Sequence, residues 1–100
     1  MALFDLLGRR WAMGVIWTLA KHGPCTFREL QSQCETISPA VLNVRLKDLR
    51  EAGLVERTGD GYRVSADGQE LYGMLVPLGV WSKRWAMRFR DSEEAGQGHE

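Results

Sequence analysis

Apolar side chains at Leu7, Trp11, Val15, Ile16 and Leu19 recur every three or four positions. That spacing predicts one amphipathic helix over about residues 4–21, stopped by His22, Gly23 and Pro24. Thr26-Phe27-Arg28-Glu29 has the form of a capping box, in which a hydroxyl and a carboxylate each satisfy an orphan backbone N–H. A short second helix follows, burying Phe27, Leu30 and Cys34. Ser38-Pro39 then sets a hydroxyl at an N-cap and a proline at the first helical position, where its missing N–H costs nothing. Ile37 and Leu42 occupy the two positions of a hydrophobic staple. Leu42, Leu46 and Leu49 form one buried stripe, and Gly53 suits the C-terminal cap.

The polar-apolar pattern changes after Gly53. Residues 54–57 and 62–65 read as two short strands joined by Thr58-Gly59-Asp60-Gly61, whose glycines suit a tight hairpin. From Ala66 onward Leu71, Leu75, Leu78, Trp81, Trp85 and Phe89 return to helical spacing. Pro77 and Gly79 are expected to kink or split that helix near Val76. Two helices separated by a turn of three or four residues, Phe27 to Cys34 and then Pro39 onward, have the layout of a helix-turn-helix. The fold class is mainly α with a small β-hairpin (α+β).

Composition narrows the choice further. One hundred residues make a single domain with one modest core, too small for two lobes around a catalytic cleft. The formal net charge is zero, but it is unevenly spread. Residues 1–90 hold all thirteen basic side chains against nine acidic ones, a surplus of four, and the other four acids lie in 91–100. That stretch, Asp-Ser-Glu-Glu-Ala-Gly-Gln-Gly-His-Glu, reads as a disordered acidic tail on a mildly basic domain of residues 1–90. Such a body permits a nucleic-acid partner without requiring one. The apolar run after Arg9 and Arg10 is ten residues long, too short to cross a membrane and without a signal cleavage site. Cys25 and Cys34 form no CxxC pair and read as small buried apolar groups in a reducing cytoplasm. His22 and His99 have no thiol or carboxylate neighbours at ligand or triad spacing, so no enzyme activity, metal or cofactor is expected.

Several of these segments together resemble the HxlR-type family of winged helix-turn-helix transcriptional regulators, over about residues 5–89. Leu6-Leu7-Gly8-Arg9-Arg10-Trp11 is similar to the family's Leu-Leu-Gly-x-basic-Trp opening, and Phe27-x-Glu29-Leu30 to its second helix. The most specific run is Ile37-Ser38-Pro39-Ala40-Val41-Leu42-Asn43-Val44-Arg45-Leu46-Lys47-Asp48-Leu49, closed by Ala52-Gly53-Leu54-Val55. Tyr62-x-Val64-Ser65-x-x-Gly68-x-x-Leu71 resembles the exit from the family's wing, and Trp81 and Trp85 match the tryptophans of its last helix. Five features depart from the pattern. Thr26 replaces a usual arginine, Ala40 an often basic residue and Val44 a commonly polar one, while the wing is shorter. The N-terminal cysteine of redox- or aldehyde-sensing members is missing from this chain.

The resemblance implies binding to double-stranded operator DNA as a homodimer, with residues 38–52 as the recognition helix in the major groove. Residues 54–65 would form the wing at the backbone or minor groove. At about 100° per residue, with Leu42 pointing inward, Ala40, Asn43, Lys47 and Arg50 fall on outward and lateral faces. Asn43 suits adenine, Lys47 guanine or a phosphate, and Ala40 a thymine methyl. Ser38 and Pro39, at the start of the helix with its free N–H groups, suit a phosphate. Arg28, Arg57 and Arg63 are placed for phosphate or minor-groove contacts. Asp60 at the tip would repel phosphate, and Arg45 either pairs with a carboxylate such as Glu29 or contacts DNA.

The dimer interface is expected along Leu3, Leu7, Trp11, Leu78, Trp81, Trp85 and Phe89. These residues of the N- and C-terminal helices, with Trp17, hold more aromatic surface than so small a core encloses. Two other readings stay open. One is a winged-helix protein-interaction module that has lost DNA binding; the other is a ligand-responsive regulator with a tryptophan-lined pocket for a small-molecule effector.

Overall fold

The computed structural model describes residues 2–34 and 36–98, with the side chains of 92–98 left out. Among these described residues five helices and three strands follow in the order α1 (Ala2–Leu7), α2 (Ala12–His22), β1 (Cys25–Thr26), α3 (Phe27–Gln33), α4 (Pro39–Glu51), β2 (Val55–Thr58), β3 (Gly61–Val64) and α5 (Ala66–Gly98). One core holds them together. Ile16, Leu19, Leu30, Leu42, Leu46 and Leu49 are its largest fully enclosed side chains, and Tyr62, Leu71 and Leu75 close it from β3 and α5.

The expected first helix is two helices. Gly8 to Trp11 form an elbow in which Arg9 N–H donates to the Leu6 carbonyl and Ala12 N–H to the Arg9 carbonyl, each at 3.1 Å. Trp11 sits in the left-handed region at φ 76°, a conformation that costs a residue with a side chain roughly 1 kcal/mol or more. Periodicity could not reveal the break, because Leu7 and Trp11 still pack against the same core as Val15 and Ile16 on the far side of it.

Both anticipated caps are present. Glu29 N–H donates to the Thr26 hydroxyl at 3.1 Å, and Thr26 N–H donates back to the Glu29 carboxylate at 3.2 Å, completing the capping box of α3. Val41 N–H donates to Ser38 Oγ at 3.2 Å, and Pro39 is the first residue of α4. At the other end Gly53 takes φ 76°, which lets Leu54 N–H reach back to the Leu49 carbonyl at 2.9 Å.

The hairpin belongs to a three-stranded antiparallel sheet of order β1-β3-β2. In it Cys25 pairs with Tyr62, and Glu56 with Arg63. The two-residue β1 is too short to carry an alternation, so the sequence pattern does not announce it. Gly59 at φ 52° supplies the positive φ that a tight hairpin turn needs at its first central position.

The last helix is neither split nor ended at Pro77; α5 is continuous through it. Val76, Pro77 and Leu78 are exposed, so carbonyls freed by the missing N–H can turn to solvent rather than break the helix. Helical backbone also continues from Asp91 to Gly98, where composition suggests a disordered tail. The Glu and Ala in this stretch are good helix formers, and no proline stops them. Residues 99 and 100, the end of that expected tail, lie outside the described residues.

Candidate nucleic-acid interface

Fully buried Leu42, Leu46 and Leu49 fasten α4 to the core along one side. The outward and lateral faces are open: Ala40, Asn43, Lys47 and Arg50 are all exposed, as are Ser38 and Pro39 at its start. Asn43, Lys47 and Arg50 thus project, without a side-chain partner among the described residues, from a helix whose position the leucines fix. Val44, which in the sequence stands out only as a departure from the family's commonly polar residue, and Val41 are 51% and 37% exposed there. Their helical spacing from Leu42 was the available signal.

Arg45 turns away from this face, and its partner is not Glu29, which is occupied by the capping box. Arg45 Nε donates to the Arg10 backbone carbonyl at 2.7 Å, and its Nη1 donates to Asp48 Oδ2 at 3.0 Å. Arg9 Nη1 reaches the same carboxylate oxygen at 3.1 Å. A pair of arginines converging on one carboxylate thus ties α4 to the elbow between α1 and α2.

Around the helix the other candidates are dispersed. Arg28 is exposed on α3. On the hairpin Arg63 donates from Nε to Glu56 Oε1 at 3.0 Å, an exposed cross-strand pair that holds it only weakly. Arg57 lies over the Tyr62 ring, 5.2 Å from its centroid. Both can turn toward an anion at small cost, while exposed Asp60 occupies the turn between them. The buried thiol of Cys25 donates to the Gly23 carbonyl at 3.3 Å. Burial, then the nearby Glu29 and Cys34, push its pKa up, which favours the neutral thiol over the thiolate.

Of the residues expected at a dimer interface, Leu3, Leu78, Trp81, Trp85 and Phe89 are 40–56% exposed. Leu7 and Trp11 are partly buried against the core of their own chain. Trp81, Trp85 and Phe89 stack along one side of α5 with centroids 6.1 and 5.8 Å apart. Trp17 takes a different role, packing edge-on against Tyr72 at 5.2 Å.

A profile of the HxlR-like helix-turn-helix matches residues 6–90. The chain belongs to the HxlR family. Proteins named in this family are transcriptional regulators, and the winged helix-turn-helix architecture is theirs. An uncharacterized HTH-type transcriptional regulator of Halalkalibacterium halodurans is 42% identical over 53 residues, 53% of this chain and 47% of that protein. The match therefore spans about half the length of that relative. Quinone-bound YodB from Bacillus subtilis superposes with a TM-score of 0.77 at 31% identity, covering 83% of this chain and 93% of YodB. A possible HxlR family transcriptional factor from Thermoplasma volcanium gives 0.76 at 29% identity, covering 87% and 84% of the two chains. Among the described residues of this HxlR-family chain, no helix is long and apolar enough to cross a membrane.

Proposed function

We propose that this chain is a DNA-binding transcriptional regulator of the bacterial cytoplasm that works as a homodimer. In this reading α4 lies in the major groove of operator DNA and the β2–β3 hairpin lies along the backbone or minor groove. The observation that carries it is the two-sidedness of α4. Its leucine side is fully enclosed, while Asn43, Lys47 and Arg50 stand free on an N-capped helix. Arg28, Arg57 and Arg63 supply further positive charge for phosphates. A duplex dimer needs two such helices about 34 Å apart, and the exposed apolar residues of α1 and α5 are the surface that would pair the subunits. A small apolar effector would find room between α2 and α5, in the groove lined by Met13, Trp17, Leu75, Leu78 and Gly79.

The test is a gel-shift titration against a genomic fragment library at several salt concentrations. Binding is expected to weaken steeply with salt, because several phosphates are neutralised together. Absent binding at low salt, or binding indifferent to salt, would refute the proposal.

A further inference from the structure

The outward side of α4 holds more than polar groups. Val44 is 51% exposed and Val41 37% exposed, with Ala40 exposed beside them. At about 100° per residue, with Leu42 inward, Ala40 and Val44 both lie within about 20° of the outward pole, one turn apart. Asn43 falls to one side of that line and Val41 to the other. An isolated aliphatic side chain on a surface needs no explanation. Here Ala40 and Val44 sit together at the centre of the face that the proposed function turns toward DNA, with Val41 on one flank and the amide of Asn43 and the ammonium of Lys47 on the other.

A β-branched side chain is a moderate helix former at best, and no core residue covers Val44. The major groove offers one apolar group on its base edges, the C5 methyl of thymine. We infer that Val44, supported by Ala40, reads thymine methyl groups, and that this strip makes Val44 a specificity-determining residue. The inference rests on the proposed DNA-binding function and adds to it a base preference. With Asn43 suited to adenine beside the strip, the half-site should contain A·T pairs at adjacent positions. Charge supports this occupant. Lys47 and Arg50 border the strip, so an approaching surface must be anionic at its rim and apolar at its centre, as a thymine-bearing groove is.

The experiment begins with selection of duplexes bound by the full chain from a random pool. A winning duplex is then remade with deoxyuridine in place of each thymidine in turn, which keeps every hydrogen-bonding group and deletes only the methyl. At one or more positions in each half-site, uracil is expected to weaken wild-type binding about threefold to fivefold, the effect of losing one buried methyl. Val44→Ala, at a solvent-facing position, should melt like the wild type and bind the thymine and uracil duplexes equally. Uracil duplexes bound at full strength would overturn the inference while leaving the proposed function standing. So would a Val44→Ala protein that still distinguishes thymine from uracil, or one weakened alike on both duplexes without losing that difference. A wild type that binds no duplex removes both readings, so the two failures are separable.

Discussion

Arg45 Nε donates to the backbone carbonyl of Arg10 at 2.7 Å, joining α4 to an elbow that local preference alone would not form. Trp11 at the end of that elbow has a left-handed backbone, and Arg10 stacks its guanidinium 5.7 Å from the Trp11 ring centroid. A strained turn of this kind persists when its surroundings over-determine it. Here Arg45 and Asp48 on α4 do so from one side and the core contacts of Leu7 and Trp11 from the other.

Arg45→Ala should therefore cost about 1–3 kcal/mol, because a partly buried charge-assisted bond is lost at the elbow and Asp48 loses a partner. Arg9→Ala should cost less than about 0.5 kcal/mol. Its side chain is 49% exposed against 19% for Arg45, and exposed ion pairs are weak. Urea titrations with unchanged m values would measure both. Equal losses would mean that the elbow is held by charge alone, not by the carbonyl bond.

Two glycines of α5 should respond to alanine with opposite signs. A Cβ on Gly68 would collide with the Leu54 carbonyl oxygen, which cannot retreat because it accepts from Ser65 N–H at 3.0 Å. The Ser65 hydroxyl binds the same junction, donating to the Gly53 carbonyl and accepting from Gly68 N–H. Gly68→Ala should destabilise by about 1–3 kcal/mol despite alanine's better helix propensity. At Gly73 nothing lies within 4 Å of the added carbon, so Gly73→Ala should stabilise by about 0.5–1 kcal/mol. Thermal melts of the two variants would decide it.

The contrast between these positions shows which information the sequence carried. Caps are local chemistry over three or four residues, so Thr26, Glu29, Ser38 and Pro39 were legible from residue type and spacing. The leucine stripe of α4 was legible because burial imposes a period. What escaped depended on contacts distant in the chain. The elbow at Gly8 to Trp11 is held by Arg45 and Asp48 from thirty or more positions away, and β1 exists through pairing with Tyr62 and Gly61. A carboxylate partner for Arg45 is legible, but the one it takes is Asp48 on its own helix, because Glu29 already serves its own cap. Pro77 leaves α5 unsplit for a different reason: it faces solvent, where the carbonyl it frees can turn outward.

Cys25 should alkylate more slowly than an ordinary thiol. Its pKa is raised, first by burial and then by Glu29 and Cys34, so at neutral pH even less thiolate is present than in the unfolded chain. The sign for stability follows. The neutral thiol fits the fold, so nothing is lost below the ordinary thiol range, and stability falls as pH rises through the raised folded value. Iodoacetamide labelling at pH 7 and pH 9, read by mass spectrometry, would check this; rapid labelling at pH 7 would contradict it.

Lys47 and Asn43 should separate in the DNA measurements. If Lys47 neutralises a phosphate, Lys47→Ala weakens binding to all sequences and lowers the salt slope by about one. Asn43→Ala should leave the slope unchanged, cost about 1–3 kcal/mol on the selected duplex and relax the preference at one adenine. Titrations on a selected and a scrambled duplex at three salt concentrations distinguish these patterns. The opposite assignment would make Lys47 the base reader.

The stacked aromatic row on α5 leads to the remaining prediction. A 33-residue helix is about 50 Å long, and its residues 81–91 are exposed throughout. The chain accordingly measures 58 × 26 × 25 Å, with a radius of gyration of 16.3 Å, against about 13 Å for a compact domain of this length. A projecting helical arm carrying Trp81, Trp85 and Phe89 on one side has no partner for that surface among the described residues of its own chain. In a two-fold dimer the same row on a second subunit supplies it. Trp85→Glu places a charge at the centre of the row and touches no core residue, so the variant should keep its helix content and melting behaviour as a monomer. Sedimentation velocity over a range of concentrations should show a dimer for the wild type and a monomer for Trp85→Glu. The variant should also lose most of its affinity for a two-half-site duplex while retaining weak binding to a single half-site. A wild type that sediments as a monomer at every concentration would exclude this interface, and with it the paired-helix mode of DNA binding.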